Sequence, residues 1–178
     1  MPVWPESLEQ ILSFMESGGN VLWGIFVVSL LLWSLIIERY TYLLLAFPKY
    51  LNQIKSNWQS RKDQHSWSAR KIREAWLSEA SLRLTRSLSL INTLVALCPL
   101  LGLLGTVTGM IHVFDVIAIQ GNSNTRAMAA GISMATIPTM AGMVVALSGL
   151  FFSSQLHHRV GQERQRISDL LYAGEEKG

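Results

Sequence analysis

Apolar and polar positions divide the chain into three long apolar runs separated by polar stretches. The runs cover residues 21–37, 87–111 and 127–156, and none of them contains a charged side chain. A helix of about 20 apolar residues crosses the hydrocarbon core of a bilayer, whereas long buried helices of soluble proteins usually keep a polar face. The pattern therefore predicts an all-α integral membrane protein with three transmembrane helices.

The polar stretches complete this organisation. Leu8, Ile11, Leu12 and Met15 are spaced as on one face of a helix, which predicts an N-terminal amphipathic helix lying in the membrane interface. Residues 66–86 contain helix formers and no proline, so we expect one unbroken helix from there through the second span. The tail should extend the third span in the same way. The predicted segments are an N-terminal helix (1–19), the first span (20–47), a connection (48–86), the second span (87–119), a short loop (120–126), the third span (127–156) and the tail (157–178).

Basic residues are distributed unevenly along the chain. Of the 15 Lys and Arg residues, nine lie between residues 48 and 86, four follow Leu156 and none precedes Asn20. The positive-inside rule then places the 48–86 connection and the tail in the cytoplasm, as a helical bundle, and the N-terminus and the short loop outside. This rule explains the basic residues of the connection, so nucleic-acid binding is not needed to explain them. In addition, no aromatic-basic motif that reads bases accompanies them.

Small residues at helical spacing mark one face of the second span and one face of the third. Two interpretations are open. The small faces are helix–helix contacts whose threonines bond to their own helices, or they border a pore or a partner helix and offer threonine hydroxyls to water. The small residues are Gly102, Thr106 and Gly109 in the second span and Gly131, Ala135, Thr139, Gly142, Ala146 and Gly149 in the third.

Two further positions carry unusual polar chemistry. Pro138 cannot donate a hydrogen bond to the carbonyl of Met134, so we hypothesise that this carbonyl and the Thr139 hydroxyl form a small polar station at membrane depth. At the end of the first span, Glu38 and Arg39 follow each other, and we favour an ion pair at the inner interface over a role in transport.

Titratable groups are absent from the centres of the second and third spans. No Asp, Glu, Lys, Arg or His lies within residues 87–111 or 127–156, and we interpret His112 and Asp115 as interfacial. Proton relays need a titratable group inside the membrane. If protons cross here, a partner must supply that group. No cofactor or metal site is expected.

The run Pro-Leu-Leu-Gly-Leu-Leu-Gly-Thr-Val-Thr-Gly-Met at 99–110, Gly-Ile-Ser at 131–133, Thr-x-x-Gly at 139–142 and Ile-Ile-Glu-Arg at 36–39 resemble the MotA/TolQ/ExbB proton channel family. The chain is most similar to a compact ExbB of a TonB energising system. The resemblance implies a homo-pentamer in the bacterial inner membrane, with the second and third spans around a central pore. An ExbD-like single-span protein with a membrane Asp would lie in that pore, and a TonB-like protein would dock outside the ring at Ser29 or Ser34.

The same resemblance assigns roles to single residues. Thr106 and Thr139 would be the pore-lining threonines opposite the partner's Asp, within a wall of small residues. Met134 departs from the pattern, because many relatives carry Glu there. The expected function is that of a motor subunit, not an enzyme, that energises TonB; a TolQ-like role in envelope integrity and a non-conducting membrane scaffold are the alternatives. The wall residues would be Gly102, Gly109, Gly131, Ala135 and Gly142.

Overall fold

A computed structural model describes residues 6–59, 67–120 and 124–172. Within these ranges all regular structure is helical, and three helical stretches are long and apolar enough to cross a membrane. The predicted all-α membrane protein with three spans is thereby confirmed. Residues 121–123 of the predicted short loop lie outside the described residues, as do both ends of the chain. The helices are α1 (Glu6–Ser17), α2 (Gly19–Thr41), a π-helical turn (Tyr42–Ala46), α3 (Phe47–Gln59), α4 (Trp67–Thr85), α5 (Leu88–Gln120) and α6 (Thr125–Tyr172).

The first two helices meet at a glycine pair. The α1 helix ends at Ser17, whose hydroxyl donates to the carbonyl oxygens of Ser13 and Phe14, each at 2.9 Å. Gly19 follows with φ +66°, a left-handed conformation that glycine adopts at no steric cost. On α1, Ile11 and Leu12 remain exposed, which leaves an apolar surface for a membrane interface.

The junction between α4 and α5 differs from the prediction. The expected unbroken helix is interrupted at Arg86 and Ser87, where Ser87 has φ +71°. The Arg86 N–H donates to the Leu82 carbonyl and the Ile91 N–H donates to the Ser87 carbonyl, both at 3.0 Å. One helix thus ends and another begins around a single left-handed residue. By contrast, α6 continues from the third span into the tail without interruption.

The chain forms two compact units. The first unit comprises Met1–Trp33 and Asn92–Leu150, and the second comprises Ser34–Ile91 and Phe151–Gly178. Each has its own apolar core among the described residues. The first core includes Leu22, Ile25, Leu32, Val95, Cys98, Val113 and Ala135, and the second includes Phe47, Leu51, Ala80, Leu84, Leu88, Leu156, Val160 and Ile167.

Most of the apolar surface of the spans is exposed. Only 22% to 28% of the most apolar window of each span is buried inside the chain. Water-soluble monomers seldom expose apolar surface on this scale. The outer surfaces of the spans are therefore suited to lipid or to further protein subunits.

Candidate functional site

The small faces of α5 and α6 pack directly against each other. A Cβ atom added to Gly109 would lie 2.5 Å from the backbone N and Cα of Ala135, and one added to Gly142 would lie 2.6 Å from the Cys98 carbonyl oxygen. Such distances mean that the two backbones touch, as small residues allow in membrane helices. Gly109 of α5 lies beside Ala135 of α6, whereas the earlier Cys98 lies beside the later Gly142. The two helices are therefore antiparallel. We call this line of contacts the α5–α6 seam.

Most of the predicted wall residues therefore lie within the seam. Gly131 packs on Val113, and a Cβ atom at Gly102 would lie 3.1 Å from the Cα of Thr139. Gly102, Gly109, Gly131, Ala135 and Gly142 are all buried. They hold α5 to α6, as the helix-contact interpretation expects. Their place in a pore wall stays a prediction.

Pro138 fits into a notch formed by Gly105. A Cβ atom at Gly105 would lie 2.5 Å from the Cβ of Pro138 and 3.6 Å from the Cγ1 of Val21 on α2. Pro138 is fully buried. Gly105 is not among the predicted wall residues, although it lies three residues after Gly102 and four before Gly109, which are helical intervals.

Thr139 bridges the two helices of the seam. Its hydroxyl lies 3.1 Å from the Gly102 carbonyl oxygen on α5 and 3.2 Å from the Ala135 carbonyl oxygen on its own helix, and it donates to this pair of acceptors. The Thr139 hydroxyl thus has the Gly102 and Ala135 carbonyls as its acceptors, and the hypothesised polar station with the Met134 carbonyl stays a prediction. The hydroxyl of Thr139 points across the seam, where Gly102 lacks a side chain and leaves its carbonyl within reach.

Thr106 bonds within its own helix and is half-buried. Its hydroxyl donates to the Leu103 carbonyl oxygen at 2.7 Å. In both Thr106 and Thr139 the hydroxyl proton is directed to the backbone, so the oxygen keeps lone pairs that can accept a hydrogen bond from another molecule. Thr106 lies four residues after Gly102, and Thr139 lies four residues after Ala135. Because the two helices are antiparallel, these equal spacings place both threonines on the same side of the α5–α6 seam. We call it the threonine side.

The opposite side of the seam holds a groove of about 390 Å³ that is lined by both polar and apolar residues. Thr108, His112 and Asp115 follow each other on one face of α5 at spacings of four and three. Thr106 and Thr108 are about 200° apart around the helix, so the groove and the threonine side are separate. We call it the His112 groove; it is lined by residues 18–21, by Thr108, Ile111, His112 and Asp115 of α5, and by Met134 of α6.

Met134 lies against the start of α2. A Cβ atom added to Gly19 would be 3.3 Å from the Cγ and Sδ atoms of Met134. Its side chain therefore borders the His112 groove. The helical spacing of Met134 and Thr139 on α6 turns them to opposite sides of the seam.

Arg39 is buried in the second unit and contacts the end of α4. Its guanidinium donates to the backbone carbonyl oxygens of Arg83 and Leu84 and lies 4.9 Å from the centre of the Tyr42 ring. Glu38 is exposed and, among the described residues, forms no ion pair with Arg39. Arg39 instead contacts the last carbonyls of α4, which lack partners within their helix and attract a cation; the interfacial role of Glu38 and Arg39 stays a prediction.

Ser29 and Ser34 both belong to α2, where Ser29 is half-buried and Ser34 is exposed. Their surfaces carry no feature that identifies a partner. Contact with a TonB-like protein at either residue stays a prediction.

Comparison with known proteins gives one family. The sequence profile of the MotA/TolQ/ExbB proton channel family matches residues 46–169. The chain is 27% identical over 175 residues to the biopolymer transport protein exbB1 of Vibrio cholerae, covering 80% of this chain and 75% of that protein. It is 33% identical over 98 residues to the biopolymer transport protein ExbB of Aquifex aeolicus, covering 54% of this chain and 64% of the relative.

A third similarity is shorter and stronger. An ExbB-like biopolymer transport protein of Synechocystis is 44% identical over 80 residues, which cover 43% of this chain and 32% of the relative. The chain thus matches about a third of that relative's length.

Proposed function

Because the chain belongs to the MotA/TolQ/ExbB proton channel family, we propose that it is an ExbB-like subunit of a proton-driven motor in the bacterial inner membrane. With an ExbD-like partner it converts the proton motive force into energisation of a TonB-like protein. The N-terminus faces the periplasm and the 48–86 connection and the tail face the cytoplasm, as the distribution of basic residues indicates.

The open threonine side of the α5–α6 seam is the observation that carries this proposal. The α2 helix packs on the other side, where a Cβ atom added to Gly105 would lie 3.6 Å from the Cγ1 of Val21. On the threonine side, Leu103 and Met143 are 58% and 50% exposed. A ring of copies that turned this side inward would enclose a channel with hydroxyl oxygens at mid-height. This supports the pore-lining role of Thr106 and Thr139.

The hydroxyls favour one protonation state of a partner's carboxyl group. Since Thr106 and Thr139 direct their protons to backbone carbonyls, they offer acceptors. A protonated carboxyl group can donate to such an oxygen, whereas a carboxylate can only accept. An Asp of the ExbD-like helix would therefore be best accommodated in its protonated form beside these threonines. The chain contributes acceptors and the partner contributes the titratable group.

The proposed motor contains several copies of this chain together with an ExbD-like and a TonB-like protein. The broad exposed apolar surfaces of the three spans support self-association as a homo-pentamer with lipid around it. The ExbD-like helix occupies the threonine side within the ring. The TonB-like protein contacts α2 from outside, at Ser29 or Ser34.

Proton flux in reconstituted vesicles tests the proposed function. The complex of this chain with an Asp-bearing single-span partner is expected to conduct protons, and the chain alone is expected not to. Replacing the partner's Asp with Asn should abolish flux. Absence of flux from the wild-type complex, with assembly verified by native mass spectrometry, would instead support a non-conducting scaffold.

Substituting the threonines tests their role in the same vesicles. We expect Thr139→Val to lower flux roughly five- to thirtyfold, since a hydrogen bond in a membrane protein contributes about 1–2 kcal/mol. Thr136→Val is the matched control, because Thr136 is exposed and its hydroxyl bonds only to the Ile132 carbonyl of its own helix, at 2.9 Å. Equal flux in the two variants would contradict the role given to Thr139.

A further inference from the structure

A cavity of about 220 Å³ lies in the second unit, between the end of the first span and the start of the tail. The π-helical turn contributes Leu43 and Leu44 to its lining, and α6 contributes Arg159, Gln162 and Glu163. All five residues belong to the second unit. The cavity therefore combines an apolar side with a polar side that carries one cationic and one anionic group. We call it the Arg159 cavity.

The positions of Arg159 and Tyr40 correspond to the lipid headgroup layer. Arg159 is the first Lys or Arg after the third apolar run, and Tyr40 lies two residues after Glu38, the first charged residue after the first run. The guanidinium carbon of Arg159 is 4.9 Å from the centre of the Tyr40 ring. Arginine and tyrosine side chains near the ends of spans lie at the membrane interface. Both spans therefore reach the headgroup layer at this cavity.

The guanidinium of Arg159 keeps hydrogen-bond donors for a ligand. Its side chain is half-buried and, among the described residues, forms no ion pair in addition to its contact with the Tyr40 ring. A guanidinium holds five N–H donors in a planar fork that matches the oxygens of a phosphate group. The neighbouring Gln162 amide already lies 3.1 Å from the His158 ring nitrogen. Arg159 is thus the main candidate to bind a phosphate group here.

The carboxylate of Glu163 is incompletely paired. Its Oε1 atom lies 3.6 Å from the Nη1 atom of Arg166, whereas Oε2 is buried and, within the part of the chain that the structure describes, has no hydrogen-bond partner. A buried acceptor without a donor destabilises a protein. The terminal torsion of glutamate is broad, so the carboxylate can turn an oxygen towards the cavity that it lines. A cationic donor in the cavity would satisfy it.

The two charged groups of the cavity are spaced as in a zwitterionic headgroup. Arg159 and Glu163 are four residues apart, which places them on one face of α6 about 6 Å apart along the helix axis. In phosphatidylethanolamine, a single ethylene unit joins the phosphate to a primary ammonium group. A phosphate that accepts hydrogen bonds from Arg159 therefore brings the ammonium group within reach of the Glu163 carboxylate.

Apolar surface for the rest of a lipid adjoins this level of the first span. Ile37 lies three residues before Tyr40, on the same helical face and towards the membrane, and it is 60% exposed. A soluble phosphate ester would leave this surface uncovered, whereas a phospholipid covers it with an acyl chain. Both the depth of the cavity and its surroundings therefore favour a lipid.

We propose that the Arg159 cavity binds a phospholipid whose headgroup carries a phosphate and a primary ammonium group, as in phosphatidylethanolamine. Arg159 donates to the phosphate, Glu163 accepts from the ammonium group, and Leu43 and Leu44 contact the ethylene unit. Lipids with a net negative charge bind less well, because their phosphate approaches the Glu163 carboxylate without a compensating ammonium group. The site goes beyond the proposed function and does not depend on it.

Native mass spectrometry with defined lipids tests the site. The purified full chain in detergent is titrated with phospholipids that share the same acyl chains and differ in their headgroups. The ethanolamine lipid should bind at least roughly tenfold more tightly than the choline lipid, whose trimethylated nitrogen has no N–H to donate to a carboxylate. The glycerol lipid should also bind more weakly. Equal binding of all three lipids overturns the proposal, because it indicates only a general lipid shell.

Two substitutions separate the contributions of the charged groups. Glu163→Leu removes the carboxylate and should bring the affinities for the ethanolamine and choline lipids within about twofold of each other. Arg159→Gln should lower the affinity for both lipids roughly tenfold, because each lipid loses its phosphate donor. Arg164→Gln is the matched control, since Arg164 is exposed and is not part of the cavity lining; it should keep the wild-type affinities. A Glu163→Leu chain that keeps the wild-type preference overturns the proposal.

Competition with a soluble headgroup distinguishes the two sources of the same chemistry. Phosphoethanolamine without acyl chains should leave the bound ethanolamine lipid in place at millimolar concentration. Displacement of the lipid would overturn the assignment of a membrane lipid as the occupant. The comparison of headgroups on the wild-type chain needs no variant, so a folding defect in a variant does not affect it. Because the readout is lipid binding, its failure leaves the proposed function, which is tested by proton flux, untouched.

Discussion

At the scale of single residues, glycine determines how closely α5 and α6 approach. At Gly109 the Ala135 backbone occupies the space that a side chain would need. Within a membrane, close van der Waals packing of this kind holds helices together, because the hydrophobic effect does not act between them there. A single added methyl group is therefore expected to push the helices apart.

Gly109→Ala tests this packing. The added Cβ would lie 2.5 Å from Ala135 backbone atoms, so we expect the free energy of unfolding to fall by about 1–3 kcal/mol, as overpacking typically costs. Gly24→Ala is the control, because nothing lies within 4 Å of a Cβ atom there and alanine favours helix by about 1 kcal/mol. Denaturant unfolding in detergent micelles measures both. Equal stability of the two variants would argue against close contact at the seam.

Ser87 is a second residue at which the backbone conformation, here left-handed, determines which substitutions are tolerated. Ser87→Gly should raise the free energy of unfolding by up to about 1 kcal/mol, because glycine adopts positive φ without the cost that other residues incur. Ser87→Val should lower it by about 1–3 kcal/mol, since a branched side chain is strained there. The same unfolding assay in micelles applies. Greater stability of the valine variant would show that α4 and α5 form one straight helix.

Residue spacing predicted much of the candidate site but not its hydrogen bonds. The small faces follow from periods of three and four residues, which hold for any helix. The acceptor of Thr139 could not be predicted in this way, because Gly102 is 37 positions away in sequence. The spacing of Gly105 from Gly102 and Gly109 is helical, but the contact of Gly105 with Pro138 could not be read from spacing.

At the scale of elements, Arg39 ties the end of one helix to the side of another. Its guanidinium satisfies carbonyl oxygens at the C-terminal end of α4, which have no partner within that helix. Arg39 is 5% exposed. A long planar cation is suited to this position, since it can donate to two carbonyl groups at once.

Replacing Arg39 should loosen the last turn of α4. We expect Arg39→Met to lower the free energy of unfolding by about 1–3 kcal/mol, because buried carbonyl groups lose their donors. Amide hydrogen exchange should accelerate at the end of α4. Glu38→Gln serves as the control and should change neither quantity, since Glu38 is exposed. A comparable effect of Glu38→Gln would restore the ion-pair interpretation.

The elements themselves were largely predictable because the membrane restricts backbone structure to a few forms. Long apolar runs must be helical where no water can satisfy the backbone, so the spans follow from hydropathy. The interruption at Ser87 was not predictable, because no glycine or proline marks it. The contact of Arg39 with α4 depends on tertiary packing, which local sequence does not encode.

At the scale of the whole molecule, the two sides of the seam have different surroundings. The groove side is partly covered by α2, and the threonine side is open. Met143 and Val144 are neighbours on α6 and are both at least half exposed, but they differ by about 100° in direction. Met143 lies on the threonine side, and Val144 points away from the seam.

Disulfide crosslinking distinguishes these directions. In a Cys98→Ala background, Met143→Cys should crosslink to a cysteine beside the Asp of the single-span partner, because the threonine side is proposed to face it. Val144→Cys is the matched control and should not react, since its surface is suited to lipid. Gel analysis after mild oxidation gives the readout. Preferential crosslinking at Val144 would mean that the pore is lined by another face.

The fit of Pro138 into the Gly105 notch has a mechanical consequence. The rigid pyrrolidine ring of Pro138 lies between the two helices, and backbone contacts lie on both sides of it along the helix axes. This arrangement resists axial sliding of α6 along α5. We therefore expect a force applied to one of the two helices to be transmitted to the other, so that the pair deforms as one unit. In the proposed motor, such stiffness would reduce the work that is lost in deforming this pair of helices.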